Sequence, residues 1–195
     1  NGAIYGFRQL KAALSDFPFK TGTDTEVILA LHAKHGDGFL SHLPGMFAFA
    51  LWDGPRQTLT CARDRFGEKP LYFAQGSQGE FVVASEIKAL LASGLVEPVL
   101  SRQALSHYIQ RLHVHPTQTI YANVHVLPPA HMLRFHNGRL EVARYWEPPD
   151  VTEGMTMPDA VERFRELFVA AVQKQLVADV PVGVFLSGGV DSSTV

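Results

Sequence analysis

The spacing of apolar residues predicts two helices followed by a run of short strands. Apolar residues recur every three or four positions over residues 7–14 and 24–35, which is typical of helices with one buried face. Thr23 and Glu26 are three residues apart and predict a capping box at the start of the second helix. Short apolar runs divided by Gly, Pro and charged residues then predict a sheet with strands at 46–52, 58–62, 71–74 and 81–84.

The next part of the chain predicts short helices, a hairpin and a boundary. One helix is predicted over residues 86–91, and Ser101 caps another that ends near residue 112. Asn137 and Gly138 predict a tight turn between strands at 132–135 and 140–145. Residues 147–158 are rich in Pro, Gly and acidic residues without periodicity, so a domain boundary is predicted there.

A long helix and a strand are predicted after this boundary. Pro158 suits the first turn of the helix. Residues 180–186 are apolar except for a proline and a glycine, which predicts a buried parallel strand. The apolar positions of the helix recur at intervals of three and four, at Val161, Phe164, Leu167, Phe168, Ala171, Val172 and Leu176.

Composition and charge narrow the classes of function. With 46% hydrophobic and 18% charged residues, the chain is typical of a folded globular protein. The 17 basic and 19 acidic residues give a net charge of −2 without long runs of one sign, which favours small-molecule chemistry over nucleic-acid or membrane binding. A single cysteine, Cys61, excludes an internal disulfide and favours the cytoplasm. The absence of an initiator Met leads us to expect a piece of a longer protein.

A glycine-rich loop, "SGGVDSS" at residues 187–193, follows the last predicted strand. Gly188 and Gly189 allow the backbone to approach a ligand closely, and the hydroxyl and N–H groups around them can donate to an anion. The loop therefore predicts a phosphate site. Because it lacks the lysine of a Walker loop, cleavage between the α and β phosphates is favoured. The alternative is a plain turn in which Asp191 or Ser192 only caps a helix.

Several motifs in order resemble one known family. "SGGVDSS" is similar to the pyrophosphate loop of the N-type ATP pyrophosphatases, the PP-loop family. "NGAIYGFRQL", "TGTDTEVIL", "ARDRFGEKPLYF", "ASEIKALL", "LPPAHML" and "NGRLEVARYW" resemble successive segments of glutamine-hydrolysing asparagine synthetases. The resemblance covers nearly the whole chain, and the order of the motifs makes it more specific than any one of them.

The resemblance implies an α+β fold. It implies a partial Ntn-hydrolase-type stacked-sheet (αββα) domain, followed by the start of an α/β PP-loop nucleotide-binding domain. Residues 1–148 would be a glutaminase domain lacking its N-terminal part. Residues 149–195 would be a linker, a helix, a strand from Asp179 onward and the loop of the synthetase domain. The residues implied to bind ATP and pyrophosphate are Leu186, Ser187, Gly188, Gly189, Asp191 and Ser192.

The resemblance also implies roles at the beginning of the chain. The family's nucleophile is an N-terminal cysteine, which this chain does not contain, and Asn1 cannot replace it because a carboxamide is not a nucleophile. The side-chain amide of Asn1 and the N–H of Gly2 are assigned to an oxyanion hole. The alternative is that the Asn-Gly pair is only a turn.

Asp24 is implied to bind the α-ammonium group of glutamine. The alternative is that its carboxylate only supports the start of a helix through the helix dipole. Ala3 departs from the family pattern, because the family has a glutamate there that is directed at the same ammonium. Losing one charge-assisted contact costs about 1.5–3 kcal/mol. Gly6 in place of the family's asparagine is a smaller departure.

The implied reaction is the synthesis of asparagine from aspartate, ATP and glutamine through a β-aspartyl-adenylate, with release of AMP and pyrophosphate. Mg²⁺ is expected to accompany ATP. The implied assembly allows for a homodimer of the longer protein, and the present chain alone is expected to be inactive. Two alternatives stay open: a β-lactam-forming type of synthetase whose first domain no longer hydrolyses glutamine, and a scaffold domain without a catalytic site.

Other reactive or charged residues have simpler interpretations. Cys61 is interpreted as a buried structural thiol. His113 and His115 form a close pair without a third ligand at metal spacing, so we predict no metal site there. The charged turn of Arg63, Asp64, Arg65, Glu68 and Lys69 predicts a solvated or domain-facing salt network, and Glu86 with Lys88 predicts the same.

Overall fold

The computed structural model describes residues 1–151, 154–178 and 180–195. The chain divides into two compact units. The first unit comprises Asn1–Ile4 and Phe19–Glu147, and the second comprises Tyr5–Pro18 and Pro148–Val195. The predicted division into a glutaminase domain that ends at residue 148 and a synthetase domain that begins at residue 149 stays a prediction.

The helices and strands predicted before residue 146 are confirmed, each within one residue at either end. Pattern alone missed the first and sixth strands and the 3-10 helix. In chain order the elements are β1 (Gly2–Ile4), α1 (Phe7–Ala13), α2 (Thr25–His35), the 3-10 helix (Gly36–His42), β2 (Gly45–Asp53), β3 (Thr58–Arg63), β4 (Tyr72–Gln75), β5 (Phe81–Ala84), α3 (Ile87–Ala92), α4 (Arg102–Arg111), β6 (His125–Val126), β7 (His131–His136), β8 (Arg139–Arg144), α5 (Met157–Gln175) and α6 (Val190–Thr194).

The first unit contains two antiparallel sheets that face each other. One sheet has the strand order β1-β2-β3-β7-β8, and the other has the order β5-β4-β6. Between them, the rings of Phe81 and Phe135 stack with centroids 4.6 Å apart. Alternate side chains of each strand point into this layer, which explains its apolar content. Its buried members are Ala48, Cys61, Leu71, Phe73, Leu127 and Leu133.

Helices cover the outer faces of both sheets. Phe39 of the 3-10 helix packs on Phe49 of β2 with ring centroids 6.1 Å apart, on the face opposite Ala48. Leu90 of α3 joins a separate buried cluster with Ala74 of β4. The order helix, sheet, sheet, helix confirms the predicted stacked-sheet α+β fold.

The predicted hairpin between β7 and β8 is also confirmed. Asn137 and Gly138 have φ angles of 48° and 75°, so both central residues have the left-handed conformation that a two-residue hairpin turn requires. The register pairs His136 with Arg139 directly across the turn.

The predicted capping box at the start of α2 is wrong. The residue that precedes α2 is Asp24, and its side chain makes no capping hydrogen bond. Glu26 instead accepts hydrogen bonds from the N–H groups of Lys20 and Thr21 at 2.7 and 2.8 Å. The Glu26 carboxylate, which the sequence pattern assigned to the helix start, is therefore bound by N–H groups of the preceding loop.

The second unit contains α1, α5 and α6. Thr156 caps α5, because its hydroxyl oxygen accepts a hydrogen bond from the N–H of Asp159 at 3.4 Å. Pro158 lies in the first turn, as predicted. Within the described ranges, no helix is long and apolar enough to cross a membrane.

The predicted buried strand at 180–186 is wrong for the described residues. Asp179, from which the strand was predicted to begin, lies outside them. Residues 180–186 have no strand conformation, and the side chain of Phe185 is 98% exposed. A parallel strand exists only through hydrogen bonds to a neighbouring strand, and none pairs with this segment among the residues described.

Candidate functional site

The first four residues form an edge strand that leaves one row of N–H groups facing outward. Asn1 exchanges two hydrogen bonds with Ala48: its nitrogen donates at 3.1 Å and its carbonyl accepts at 2.9 Å. In a trans peptide the carbonyl and the following N–H point in opposite directions, and the described chain has no cis peptide. The N–H of Gly2 therefore points away from β2, toward the open edge of the sheet.

Gly2 occupies a backbone position that other residues cannot adopt. Its φ is +126°, and a Cβ atom there would lie 2.8 Å from Cα of Phe47. The atoms in conflict belong to the backbone of β2, so no side-chain rotation can relieve the overlap. The Asn-Gly pair begins a strand paired with β2, and the alternative interpretation as a turn is wrong.

Asp24 lies at the same open edge as the Gly2 N–H. Its Oδ2 atom accepts a hydrogen bond from the N–H of Ile4 at 2.8 Å. Its Oδ1 atom accepts a longer one from the hydroxyl of Thr25 at 3.4 Å. Residues at i and i+2 of a strand direct their N–H groups to the same side, so the Ile4 N–H that binds the carboxylate lies one strand repeat, about 6.7 Å, along the edge from the Gly2 N–H.

The side chain of Asn1 contacts the second sheet. Its Nδ2 atom donates to the hydroxyl oxygen of Ser85 at 3.5 Å. Ser85 follows β5 directly and precedes Glu86, the residue before α3. Sequence analysis missed Ser85, although it belongs to the quoted motif "ASEIKALL"; a serine between a strand and a helix was the available signal.

Together these groups can bind a ligand that has a carbonyl group at one end and a positive charge at the other. The Gly2 N–H and the Asn1 amide are donors for a carbonyl or oxyanion, and the half-buried carboxylate of Asp24 suits a cation. The structure therefore brings Asp24 to the edge of the strand that Asn1 and Gly2 begin, although Asp24 is distant from them in sequence. The predicted pyrophosphate residues belong to the second unit.

Asp64, at the centre of the charged turn after β3, is buried and binds backbone N–H groups. The prediction of a solvated or domain-facing salt network is therefore wrong for this residue. Asp64 is 1% exposed. Its carboxylate accepts hydrogen bonds from the N–H groups of Phe47, Phe66, Glu68 and Lys69, at 2.9 to 3.3 Å. A buried carboxylate is stabilised by such a set of donors. Because Phe47 also pairs with Gly2, Asp64 connects the turn to the strand beside the candidate site.

Arg63 likewise binds backbone. Its guanidinium donates to the carbonyl oxygens of Gly67, Lys69 and Leu127 at 2.7 to 2.9 Å. Burial lowers the pKa of Arg63. The phenol of Tyr145 donates to the Arg63 carbonyl at 2.8 Å, and burial raises the pKa of Tyr145. These contacts hold the turn rigidly on one side of the sheet.

Two other sequence interpretations are confirmed. Cys61 is fully buried, and burial raises its pKa to about 12, so it is a structural thiol. Glu86 and Lys88 form an exposed ion pair of 2.8 Å. His113 and His115 are exposed, and the described residues contain no group of three or more His, Cys, Asp or Glu side chains suited to a metal.

The glycine-rich loop holds several hydroxyl and N–H groups close together. Gly188 has a φ of +78°. The hydroxyl of Ser192 accepts from the N–H of Ser187 at 3.2 Å and lies 2.9 Å from the Ser187 hydroxyl, which is in turn 3.4 Å from the N–H of Gly189. The chemistry of these hydroxyl and N–H groups fits a pyrophosphate. The described residues contain no group of three or more His, Cys, Asp or Glu side chains that could hold Mg²⁺.

A cleft of about 670 Å³ lies elsewhere in the first unit. Its walls include Arg134, which pairs with Asp37, and Arg56, which pairs with Asp53 at 3.7 Å. Because these charges already neutralise each other and none of the candidate residues lines the cleft, we assign it no ligand.

Comparison with known families gives two matches. Residues 1–146 match the family model described as glutamine amidotransferase domain, and residues 163–195 match the model described as asparagine synthase. The chain is 41% identical to "Amidase chry2" of Gibberella zeae, with 100% of the chain and 29% of that protein covered. It is 35% identical to "Asparagine synthetase [glutamine-hydrolyzing] 2" of Bacillus subtilis, with 100% and 28% covered.

The fold of the first unit also occurs in a solved structure. Glutamine phosphoribosylpyrophosphate amidotransferase from B. subtilis, complexed with ADP and GMP, aligns with a TM-score of 0.55 and 22% identity. The alignment covers 76% of this chain and 28% of that one. At this identity the likeness concerns the fold alone. The chain therefore spans less than a third of the length of these three proteins.

Proposed function

The chain belongs to the glutamine amidotransferase family, and from that premise we propose that its first unit binds glutamine and releases ammonia for the synthesis of asparagine. The chain spans 28–29% of the two curated relatives named above, so the remaining parts of the activity are proposed to lie in a longer protein, called the full-length protein below. One observation carries the proposal: an N–H group and a carboxylate face the same open edge of β1.

The spacing at this edge suits glutamine. The amide carbon and the α-nitrogen of an extended glutamine are about 5 Å apart. One strand repeat of about 6.7 Å separates Gly2 from the residue whose N–H binds Asp24. A glutamine placed along the edge can thus present its amide oxygen to Gly2 and Asn1 while its ammonium pairs with Asp24.

The proposed chemistry begins with a cysteine of the full-length protein. Its sulfur bonds to the amide carbon of glutamine, and the resulting oxyanion accepts hydrogen bonds from Gly2 and Asn1. The carbon–nitrogen bond then breaks, and ammonia leaves with the proton given up by the thiol. Water hydrolyses the thioester to glutamate and restores the thiol.

Ala3 limits how tightly the proposed site holds glutamine. Asn1 and Ala3 alternate with Gly2 and Ile4 along β1, so their side chains share a face. A methyl group at Ala3 offers no countercharge, which makes Asp24 the main proposed partner of the ammonium. A synthetase of the β-lactam-forming type, which does not hydrolyse glutamine, is the second candidate because of this residue.

The second unit is proposed to begin the ATP-binding part of the enzyme. The residues that would hold pyrophosphate are Leu186, Ser187, Gly188, Gly189, Asp191 and Ser192; the hydroxyl and N–H groups of Ser187, Gly189 and Ser192 support this assignment. In the proposed reaction aspartate displaces pyrophosphate from ATP, and ammonia then displaces AMP from the β-aspartyl-adenylate. The match of residues 163–195 to the asparagine synthase family supports the choice of reaction.

Asp24→Asn tests the glutamine site in the full-length protein. The asparagine keeps an oxygen that can accept from the Ile4 N–H but removes the charge. We expect the glutamine KM to rise about 10- to 100-fold, because a charge-assisted contact contributes about 1.5–3 kcal/mol. Synthesis from added ammonium salt should stay within about twofold of the parent, since that route bypasses glutamine.

Two further measurements, the melting temperature of the variant and the glutaminase activity of the parent, distinguish the proposed glutamine site from its alternatives. An unchanged glutamine KM together with a lowered melting temperature would show that Asp24 only supports the fold, as the helix-dipole interpretation holds. A parent protein that releases pyrophosphate with its own acceptor but neither hydrolyses glutamine nor uses ammonium would contradict the proposed glutaminase and favour the second candidate.

A further inference from the structure

We propose that Ser85 is a positioning residue that orients the side-chain amide of Asn1 for the proposed oxyanion hole. This inference rests on the proposed function and adds a residue to its site. The observation behind it is the hydrogen bond of 3.5 Å from Asn1 Nδ2 to the Ser85 hydroxyl oxygen, which joins residues 84 positions apart.

The chemistry of a carboxamide explains why its orientation matters. The oxygen and nitrogen of an asparagine side chain have nearly the same shape, but only the nitrogen can donate a hydrogen bond. An amide turned with its oxygen toward a developing oxyanion would repel it. An oxyanion hole that uses Asn1 therefore requires the amide to be held with its nitrogen toward the substrate.

In the structure the Ser85 hydroxyl oxygen accepts from one of the two amide hydrogens and so restrains rotation of the Asn1 amide. The carboxamide is planar, so fixing one N–H bond directs the second about 120° away from it. That second hydrogen is free to donate to the substrate. Ser85 thus acts through Asn1 and does not itself touch the reacting atoms.

The backbone around Ser85 is well placed for this task. Ala84, just before it, pairs with Tyr72 in the second sheet. Two residues after Ser85, Ile87 packs on the buried cluster that includes Leu90 of α3. Anchoring on both sides keeps the hydroxyl in place beside the side chain of Asn1.

The hydrogen bond itself is tested first, in the full-length protein. In ¹⁵N-labelled protein, Ser85→Ala should shift the side-chain amide signals of Asn1 and speed their hydrogen exchange several-fold, whereas Ser85→Thr should preserve both. Ser93→Ala is the matched control, because Ser93 lies at the other end of α3 and donates to the carbonyl of Leu90 at 2.6 Å. Signals of Asn1 that respond equally to the Ser85 and Ser93 changes would overturn the proposal.

Glutamine hydrolysis is then measured in the full-length protein. Ser85→Ala should lower kcat about 10-fold with KM within about twofold, a smaller loss than the 10²- to 10³-fold cost of removing an oxyanion donor outright. Ser85→Thr should restore most of kcat, and Ser93→Ala should leave both constants at parent values.

The outcomes separate this inference from the proposed function. An active parent whose Ser85→Ala and Ser85→Thr variants are equally active overturns the role of Ser85 and leaves the glutaminase standing. A parent without glutaminase activity removes the proposed function, and the role of Ser85 with it.

Discussion

Replacing Gly2 with alanine probes the close approach of β1 to β2. Gly2 has a φ of +126°, and an added Cβ would lie 2.8 Å from Cα of Phe47. Holding a non-glycine residue in such a conformation costs about 1–3 kcal/mol. The overlap adds to this cost, because the backbone of β2 is also held by the bond from the Phe47 N–H to buried Asp64.

The strand can escape the overlap only by separating from β2. Separation gives up the two hydrogen bonds between Asn1 and Ala48, at about 0.5–1.5 kcal/mol each. It also exposes Ile4, which is 4% exposed in the structure, at a cost of about 1.5–3 kcal/mol. The two routes together predict that Gly2→Ala lowers the free energy of unfolding by about 2–6 kcal/mol.

Urea unfolding and amide hydrogen exchange measure this effect. Gly94→Ala is the control, because Gly94 also has a positive φ, +73°, but nothing lies within 4 Å of an added Cβ. We expect the Ala48 N–H to lose protection in Gly2→Ala and to keep it in Gly94→Ala. Equal losses of stability in the two variants, with Ala48 protected in both, would refute the close-approach argument.

Two further predictions concern the turn after β3. Asp64→Ala should lower the urea-unfolding free energy by about 3–5 kcal/mol, because four N–H groups lose their acceptor, and a loss under 1 kcal/mol would contradict this role of Asp64. Tyr145 contributes stability as a protonated phenol. Since its folded pKa is raised above its unfolded value, that contribution is complete below pH about 10 and is lost as pH rises further. Tyr145→Phe should remove this alkaline loss, and an unchanged alkaline profile would show that another group causes it.

Most elements of the first unit could be predicted from the sequence because their signals are local. Periodicity, turn residues and Ser101, whose hydroxyl oxygen accepts from the Ala104 N–H at 3.2 Å, depend on residues within one or two turns of each other. The Asn137-Gly138 turn is local in the same way. The three-residue strand β1 has too little pattern to be recognised, and only its pairing with β2 identifies it.

The partners of two carboxylates could not be predicted from the sequence pattern. Glu26 caps its helix in the local interpretation but binds loop N–H groups in the structure, and Asp64 belongs to a charged turn in sequence but is buried in space. Both carboxylates accept hydrogen bonds from backbone N–H groups that the sequence pattern did not indicate. The strand predicted at 180–186 is not formed by the described residues. Its apolar content suits a strand, but a strand also requires a neighbour to pair with.

The sequence by itself determined the class of the fold, the order of nearly all helices and strands in the first unit, and the residue types of the candidate site. Only the tertiary structure decided which of those residues meet. Asn1, Gly2, Asp24 and Ser85 come together because β1 lies at a sheet edge, α2 begins beside it and β5 ends opposite it. The physical reason is that backbone pairing directs N–H groups and side chains to fixed sides of a strand, and this direction exists only once the partner strand is in place.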